Sequence, residues 1–161
     1  MMTLYTSIHR RAGHWPTEHA AGTLTLRFDE RHRRRIRLIT DQGEEVLLDL
    51  PKAVAMAHGD ALQLEDGRLL MVQAAAEPVV EIRHKDPDEL MRLAWHLGNR
   101  HLPTEIRDGV LCIRPDHVIE EMLHRFGAEL LKLRAPFQPE GGAYGGNGHH
   151  HDHAHDGHHH G

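Results

Sequence analysis

The chain has 161 residues, of which 39% are apolar and only 4% aromatic, so it can form one medium domain or two small ones with aliphatic cores. Its net charge of −5 argues against nucleic acid or an anionic membrane as the main partner, because both favour an excess of Lys and Arg. Cys112 is the only cysteine, which excludes an internal disulfide and a cysteine zinc finger. The start, MMTLYTSIHRRAGHWP, has no apolar core of signal-peptide length, and no segment approaches the roughly 18 apolar residues of a membrane span, so we expect a cytoplasmic protein.

The first half of the chain has the pattern of strands joined by turns. Two pairs of strands flank the turns Asp41-Gln42-Gly43 and Glu65-Asp66-Gly67, which predicts two hairpins. The segment between Pro51 and Asp60 has no classifiable pattern. We predict a small antiparallel β barrel or sandwich over residues 1–74, with 73–77 as the joint. The predicted strands are 23–28, 35–39, 45–50, 62–64 and 69–72.

A basic run, RHRRRIR, extends from Arg31 to Arg37. One interpretation is a charged strand face or edge that discourages aggregation. The other is a docking patch for an acidic partner. The sequence favours the first interpretation and leaves the second open.

The second half alternates strands with helices. After a strand at 79–84, Asp86 can cap a helix with Pro87 at its first position and Glu89 in a capping-box arrangement. The apolar side of that helix carries Leu90, Leu93, Ala94 and Leu97, and the pattern ends at Gly98-Asn99.

Further elements complete this half. Strands at 104–107 and 110–113 flank the hairpin signal Asp108-Gly109, Pro115 opens a second helix that Gly127 closes, and a final strand covers 129–133. The order strand, helix, strand, strand, helix, strand is typical of a ferredoxin-like domain, here at 75–135. The fold class is therefore α+β. The sheet face without helices needs a cover, which a second copy or the first domain could supply.

From Pro136 the composition turns to Pro and Gly, which predicts a flexible tail over 136–161. Its end, HHHDHAHDGHHHG, contains eight of the eighteen histidines. Neutral imidazoles bind Ni, Cu, Zn and Co, so the tail is a predicted metal-binding segment. An engineered purification tag is the alternative, but Asp152, Ala154, Asp156 and Gly157 interrupt the run. The predicted tail ligands are His149, His150, His151, His153, His155, His158, His159 and His160.

The other ten histidines are less distinctive. His96 and His101 are five residues apart and would not converge on a helix. His101 follows a predicted helix end and precedes a proline, so its backbone is locally fixed, and two copies could share a metal across a dimer twofold axis. His117, Glu121 and His124 share a helix face, but such stripes usually face water. We expect surface positions for His9, His14, His19, His32, His58 and His84.

Three blocks make the sequence recognisable: WHLGNRHLPTEI from Trp95, DHVIEEMLHRFG from Asp116 and PFQPEGGAY from Pro136. With the His-rich terminus, they resemble the UreE family of urease accessory proteins, the nickel metallochaperones. The likeness is close in the second half and loose in the first.

The resemblance implies an N-terminal β domain for partner or peptide contacts, a ferredoxin-like metal-binding domain, and a homodimer formed through the latter. It also implies that His101 is the ligand shared at the dimer interface and that His117 is a further ligand. The peripheral histidine of some members falls on Pro115, which cannot bind metal.

The resemblance therefore implies a carrier, not an enzyme, that delivers Ni(II) to the assembling urease active site. The urease apoprotein and accessory proteins, including its GTPase, would be the partners. A nickel or zinc store without a client is the alternative, and imidazole also suits Zn(II) and Cu(II). A metalloenzyme is disfavoured, because no closed set of three ligands with a nearby general base can be assembled.

Overall fold

The computed structural model describes residues 4–141, apart from the side chain of Ser7, and forms two sheets in that range. The predicted tail histidines lie outside the described residues. In the first half, a short 3₁₀ helix at Thr17–His19 precedes the second strand. The elements of this half are β1 (Leu4–Arg10), β2 (Ala20–Leu26), α1 (Phe28–Arg31), β3 (His32–Ile39), β4 (Glu45–Ala55), β5 (Ala61–Leu64) and β6 (Leu69–Ala74).

The first sheet is mixed, with the strand order β2-β6-β5-β1-β4-β3. The hairpins β3–β4 and β5–β6 confirm the two predicted pairs. The predicted antiparallel arrangement is wrong, because β1 lies parallel to β4 and β2 lies parallel to β6. Sequence patterns missed β1 altogether, and parallel pairing joins strands that are distant along the chain. Its insertion between β5 and β4 supplies one of the two parallel pairs, and β2 beside β6 supplies the other.

A single aliphatic core lies inside this sheet. The two edge strands contribute Leu24 and Leu38 to the same buried cluster as the central strands, so the sheet curls around its core. The segment that the sequence left unclassified begins as strand, since β4 continues through Pro51 to Ala55. Met56 then enters the core.

The second half has the predicted order of elements: β7 (Ala76–Arg83), α2 (Pro87–Asn99), β8 (Glu105–Arg107), β9 (Val110–Ile113), α3 (His117–Arg125) and β10 (Glu129–Pro136). Its sheet is antiparallel throughout, in the order β10-β7-β9-β8. Residues of α2 and α3, such as Leu97 and Leu123, bury one face of this sheet against Val80 and Ile113. No helix within residues 4–141 is long and apolar enough to cross a membrane.

The helix starts differ from the predicted ones in detail. The Asp86 side chain accepts a hydrogen bond from the Asp88 amide, as expected of the cap, whereas Glu89 pairs with Arg92 and forms no capping box. The second helix begins at His117, and its cap is Asp116, one residue after Pro115. The predicted hairpin at Asp108-Gly109 is confirmed, with positive φ at both residues.

The first domain covers one end of the second sheet's open face. Phe28 of α1 lies 5.4 Å from Phe137, ring centroid to centroid, and both belong to an apolar cluster with Val79 and Cys112. Arg114 stacks over the Phe28 ring at 4.9 Å. At this end of the second sheet, the helix-free face is therefore covered by the first domain and not by a second copy.

The chain stays packed beyond the predicted tail boundary at residue 136. Phe137 is fully buried, and its carbonyl accepts a hydrogen bond from Arg31, which is itself buried although it belongs to the basic run. Gln138 then joins the halves, because its side-chain oxygen accepts from the His58 amide and its amide donates to Glu105, each at 2.8 Å. We name residues 137–140 the strap.

The two main helices end in the same way. After α3, Gly127 adopts a left-handed conformation with φ 79°, its amide donates to the His124 carbonyl, and the Ala128 amide donates to Leu123. These two bonds form a Schellman motif, which needs a left-handed residue and therefore favours glycine.

The end of α2 has the same motif with a histidine in the glycine position. His101 has φ 57°, its amide donates to Gly98 at 3.0 Å, and the Leu102 amide donates to Leu97 at 3.1 Å. The helix ends at Asn99, which confirms the predicted end at Gly98-Asn99, but the residue with the left-handed conformation is His101 and not Gly98. A side chain in this conformation costs about 1–2 kcal/mol relative to an ordinary one.

Replacing Phe137 tests whether the strap is anchored. We expect Phe137→Ala to lower the free energy of unfolding by about 3–5 kcal/mol, because it empties a fully buried site. Phe126→Ala, at a ring that is 45% exposed, is the control and should cost less than half as much. Denaturant unfolding measures both, and equal losses would contradict the anchoring.

Replacing His101 tests the cost of the left-handed histidine. In EDTA, His101→Gly should raise the free energy of unfolding by about 0.5–1 kcal/mol, since glycine adopts this conformation freely. Gly127→Ala, at the equivalent position of α3, should lower it by about 1 kcal/mol or more. A destabilised His101→Gly protein would mean that the ring makes stabilising contacts.

Candidate metal centre

His101 combines a fixed backbone with an unengaged side chain. Its main chain is held by the two hydrogen bonds that close α2, and the neighbouring Leu102 packs against the core that contains Leu97. The imidazole is exposed, and no hydrogen bond or ion pair of its ring occurs among residues 4–141. The ring nitrogens are therefore available to bind a metal ion. The fixed backbone determines where on the surface they lie.

The helix dipoles distinguish His101 from His117. His101 lies two residues beyond the last residue of α2, a helix of 13 residues, where the partial negative charge of the helix end favours a bound cation by about 0.3–1 kcal/mol. His117 is the first residue of α3, and the positive end of that helix disfavours a cation. Electrostatics alone thus supports His101 more strongly than His117.

The stripe of His117, Glu121 and His124 faces water. All three side chains are exposed. Within residues 4–141, no group of three or more His, Cys, Asp or Glu side chains could hold a metal ion. A metal at His101 would therefore need ligands from a second copy or from outside the described residues.

His9 has a structural role, and the predicted surface position for it is wrong. Its Nε2 lies 2.6 Å from the Asp60 carboxylate, with 13% of the His9 side chain exposed. Burial raises the pKa of Asp60, but hydrogen bonds from His9 and from the amides of Ala57 and Ala12 outweigh it, so the pKa lies below its usual value. His9 therefore helps to close the loop before β5.

Two more histidines are engaged around Phe126. The His96 ring stacks on the Phe126 ring at 5.6 Å and meets Trp95 edge-on at 5.2 Å. His84 Nε2 lies 3.0 Å from the Phe126 carbonyl oxygen, and its side chain is partly buried. These contacts account for the positions of both imidazole rings, so neither position requires a bound metal.

A second feature of α2, not predicted from the sequence, is its outward ridge. Met91 and Trp95, four residues apart on the helix, are each 65% exposed. Gly98 continues the ridge, and a Cβ built there would meet no atom of residues 4–141 within 4 Å. A glycine inside a helix costs about 1 kcal/mol relative to alanine. No contact among these described residues explains why a side chain is missing there.

The strap ends beside the segment that follows His101. The Glu140 amide donates to the Thr104 carbonyl at 2.8 Å. Thr104 is three residues from His101, at most about 11 Å along an extended chain. The end of the described chain is therefore fixed near the candidate ligand.

Comparison with known proteins relates both halves to one family. Models described as UreE urease accessory protein, N-terminal domain, and UreE urease accessory protein, C-terminal domain, match residues 6–75 and 77–161. A protein named urease accessory protein UreE from Rhodopseudomonas palustris (strain BisB18) is 60% identical over 128 residues, which cover 80% of this chain. Proteins of the same name from Chelativorans sp. (strain BNC1) and Ruegeria pomeroyi are 49% and 50% identical over 88% and 91% of this chain and 92% and 94% of theirs.

The chain is shorter than several of these relatives. It spans 61% of the Rhodopseudomonas palustris BisB18 protein and between 60% and 64% of three further relatives of that name. The two family models nevertheless match nearly all of this chain. The chain therefore belongs to the UreE family of urease accessory proteins.

Proposed function

We propose that this chain is a cytoplasmic nickel carrier that delivers Ni(II) during urease maturation, with His101 as its transfer ligand. The observation that carries the proposal is His101 itself, a histidine in a left-handed position that suits glycine, exposed at the cation-favouring end of α2. Residues held in such conformations cluster at functional sites. The name of the relatives, urease accessory protein, supports urease as the client.

We further propose a homodimer in which two His101 rings meet at the twofold axis. One imidazole cannot hold a metal alone, and an isologous interface brings each residue near the axis against its own copy. The ridge of Met91, Trp95 and Gly98 supports this arrangement. Its two large apolar side chains are exposed, and its glycine lets a partner helix approach closely.

The domain assignment supports the same proposal. We assign residues 75–135 to the ferredoxin-like class, which the strand order β10-β7-β9-β8 supports. This half would carry the metal and the dimer contacts, while the first half would contact partners such as the urease apoprotein and its GTPase. The proposed ligands include no general base. We therefore propose a carrier and not an enzyme.

Delivery requires a site that releases its metal. Two imidazoles leave coordination positions open, so an incoming ligand set can take the ion stepwise, whereas a closed four-ligand site would hold it. Selectivity for nickel over zinc or copper would come from supply and partners, because imidazole suits all three metals.

The tail histidines would serve as a reservoir close to this site. His149 follows Glu140 by nine residues, so it can lie at most about 32 Å from Glu140, whose amide is bonded to Thr104. Such tethering raises the local concentration of tail-bound metal at His101 to roughly the millimolar range.

Deleting residues 148–161 tests the reservoir. We expect fewer Ni(II) ions bound per dimer, with unchanged unfolding and unchanged dimerisation, because the deletion removes the proposed tail ligands and leaves the cores within residues 4–141 intact. Calorimetric titration and sedimentation measure these quantities. Full nickel stoichiometry after the deletion would rule out the tail as a reservoir.

The same truncated protein tests His101. His101→Asn should abolish the remaining site, expected at one metal per dimer, since one substitution removes two ligands, while asparagine tolerates the left-handed backbone. His117→Ala should have a milder effect, because its partner position is Pro115. The dimer should persist in both variants. Normal nickel binding by the His101→Asn protein would contradict the assignment.

Urease activation separates a carrier from a store. At limiting nickel, full-length protein with His101→Asn should activate urease less than the unmodified chain, and excess nickel should restore part of the activity. If the His101→Asn protein activates urease as well as the unmodified chain at limiting nickel, the chain is a nickel store and not a carrier.

A further inference from the structure

The outer face of the first sheet carries a second surface that the nickel proposal does not use. We name as the β3 patch the residues Tyr5, Arg35, Arg37, Ile39 and Leu47. Arg37 is the register partner of Leu47, and Leu47 is the register partner of Tyr5, so the three lie in one row across β3, β4 and β1. The register also pairs Arg35 with Asp49 and Ile39 with Glu45 on either side of that row.

The centre of the β3 patch is apolar and open to water. Tyr5 is 50% exposed and Ile39 is 58% exposed, and Leu47 lies between them partly buried. Ile39 is diagonal to Leu47 across the β3–β4 pair, within reach of side-chain contact. Contiguous exposed apolar side chains with a polar rim are typical of interaction sites.

Two exposed arginines, Arg35 and Arg37, line one side of the β3 patch. They belong to a segment, residues 27–37, with six arginines and two acidic residues, of which Arg31 is buried and does not reach the patch. Arg35 lies 3.6 Å from Asp49 and Arg37 lies 3.3 Å from Glu45, but these arginine side chains are 58% and 71% exposed. Exposed pairs of this kind contribute little, so a partner's carboxylates can compete for both guanidinium groups.

Edge protection alone does not account for this composition. The strand β3 does lie at the edge of the described sheet, as the sequence predicted. Any charge protects an edge, most often lysine, and protection does not need an exposed tyrosine and isoleucine. Tyr and Arg together are enriched in interface cores, and the planar guanidinium favours paired contacts with carboxylates.

We propose that the β3 patch docks an acidic, extended segment of a partner protein. Arg35, Arg37 and Ile39 occupy alternate positions in the part of β3 that pairs regularly with β4. Alternate side chains of an extended chain are about 6.6–6.8 Å apart. A segment with two carboxylates and one apolar residue at alternate positions matches this spacing, with the carboxylates on the arginines and the apolar side chain on Ile39 and Leu47, next to Tyr5.

Two synthetic peptides that contain the same residues in a different order test the proposal. The measurements are made in EDTA, so that nickel does not contribute to binding. The in-phase peptide, Gly-Glu-Thr-Glu-Thr-Ile-Thr-Gly, puts both glutamates and the isoleucine on one face. The out-of-phase peptide, Gly-Glu-Glu-Thr-Thr-Ile-Thr-Gly, splits the glutamates between opposite faces. NMR titration of the full chain at low salt should show the in-phase peptide binding more tightly, with shifts at Tyr5, Leu47 and 35–39.

Variants identify the groups that bind. Replacing both Arg35 and Arg37 with Gln should weaken the in-phase peptide about tenfold, since two ion-pair contacts are lost. Replacing Arg83 and Arg92 with Gln, both exposed and paired with acidic neighbours in the second domain, makes the same charge change and should leave binding intact. Tyr5→Ala should weaken binding without altering its salt dependence.

Three results would overturn the proposal. Equal binding of the two peptides would show that spacing does not matter. Equal losses in the two arginine variants would show that only net charge matters. Tighter binding of poly(U) than of the in-phase peptide, abolished by the Arg35 and Arg37 changes, would assign the surface to nucleic acid instead. None of these readouts depends on nickel, so each is separate from a failure of the carrier proposal.

Discussion

The left-handed turn at His101 depends on two hydrogen bonds and on the packing of the partly buried Leu102 against the core that contains Leu97. The core of the second half holds both leucines, so the chain must reverse between them whatever residue lies at the turn. Glycine would make that reversal with less strain, as Gly127 does after α3. The histidine instead places an imidazole in water at a fixed point, beside a helix end whose partial charge favours a cation.

The strap connects this point to the rest of the molecule. Phe137 is buried between the two halves, Gln138 bonds to both, and Glu140 bonds to Thr104 just after His101. The same few residues therefore join the domains and fix the start of the tail. A tail that began freely at residue 136 would have no defined position relative to His101.

The two halves separate two kinds of chemistry. The second half presents the exposed His101 imidazole and an apolar ridge on α2, which would suit the proposed symmetric contact with another copy. The first half presents arginines around Tyr5 and Ile39, which suit an acidic partner of different sequence. Because the strap and the Phe28–Phe137 contact join the halves, a protein bound to the first half would be held at a defined distance from His101.

The sequence by itself determined the local elements: two hairpins in the first half, two capped helices in the second and the order of strands around them. These follow from periodicity, turn residues and caps, which report contacts between near neighbours. Composition and motifs also singled out His101 and the tail. Only the tertiary structure decided the parallel pairing of β1 with β4, the burial of Phe137 and the left-handed conformation of His101. Each of these depends on contacts between distant residues, such as Leu4 with Val46 or Phe28 with Phe137, or on packing around a turn, which no local pattern records.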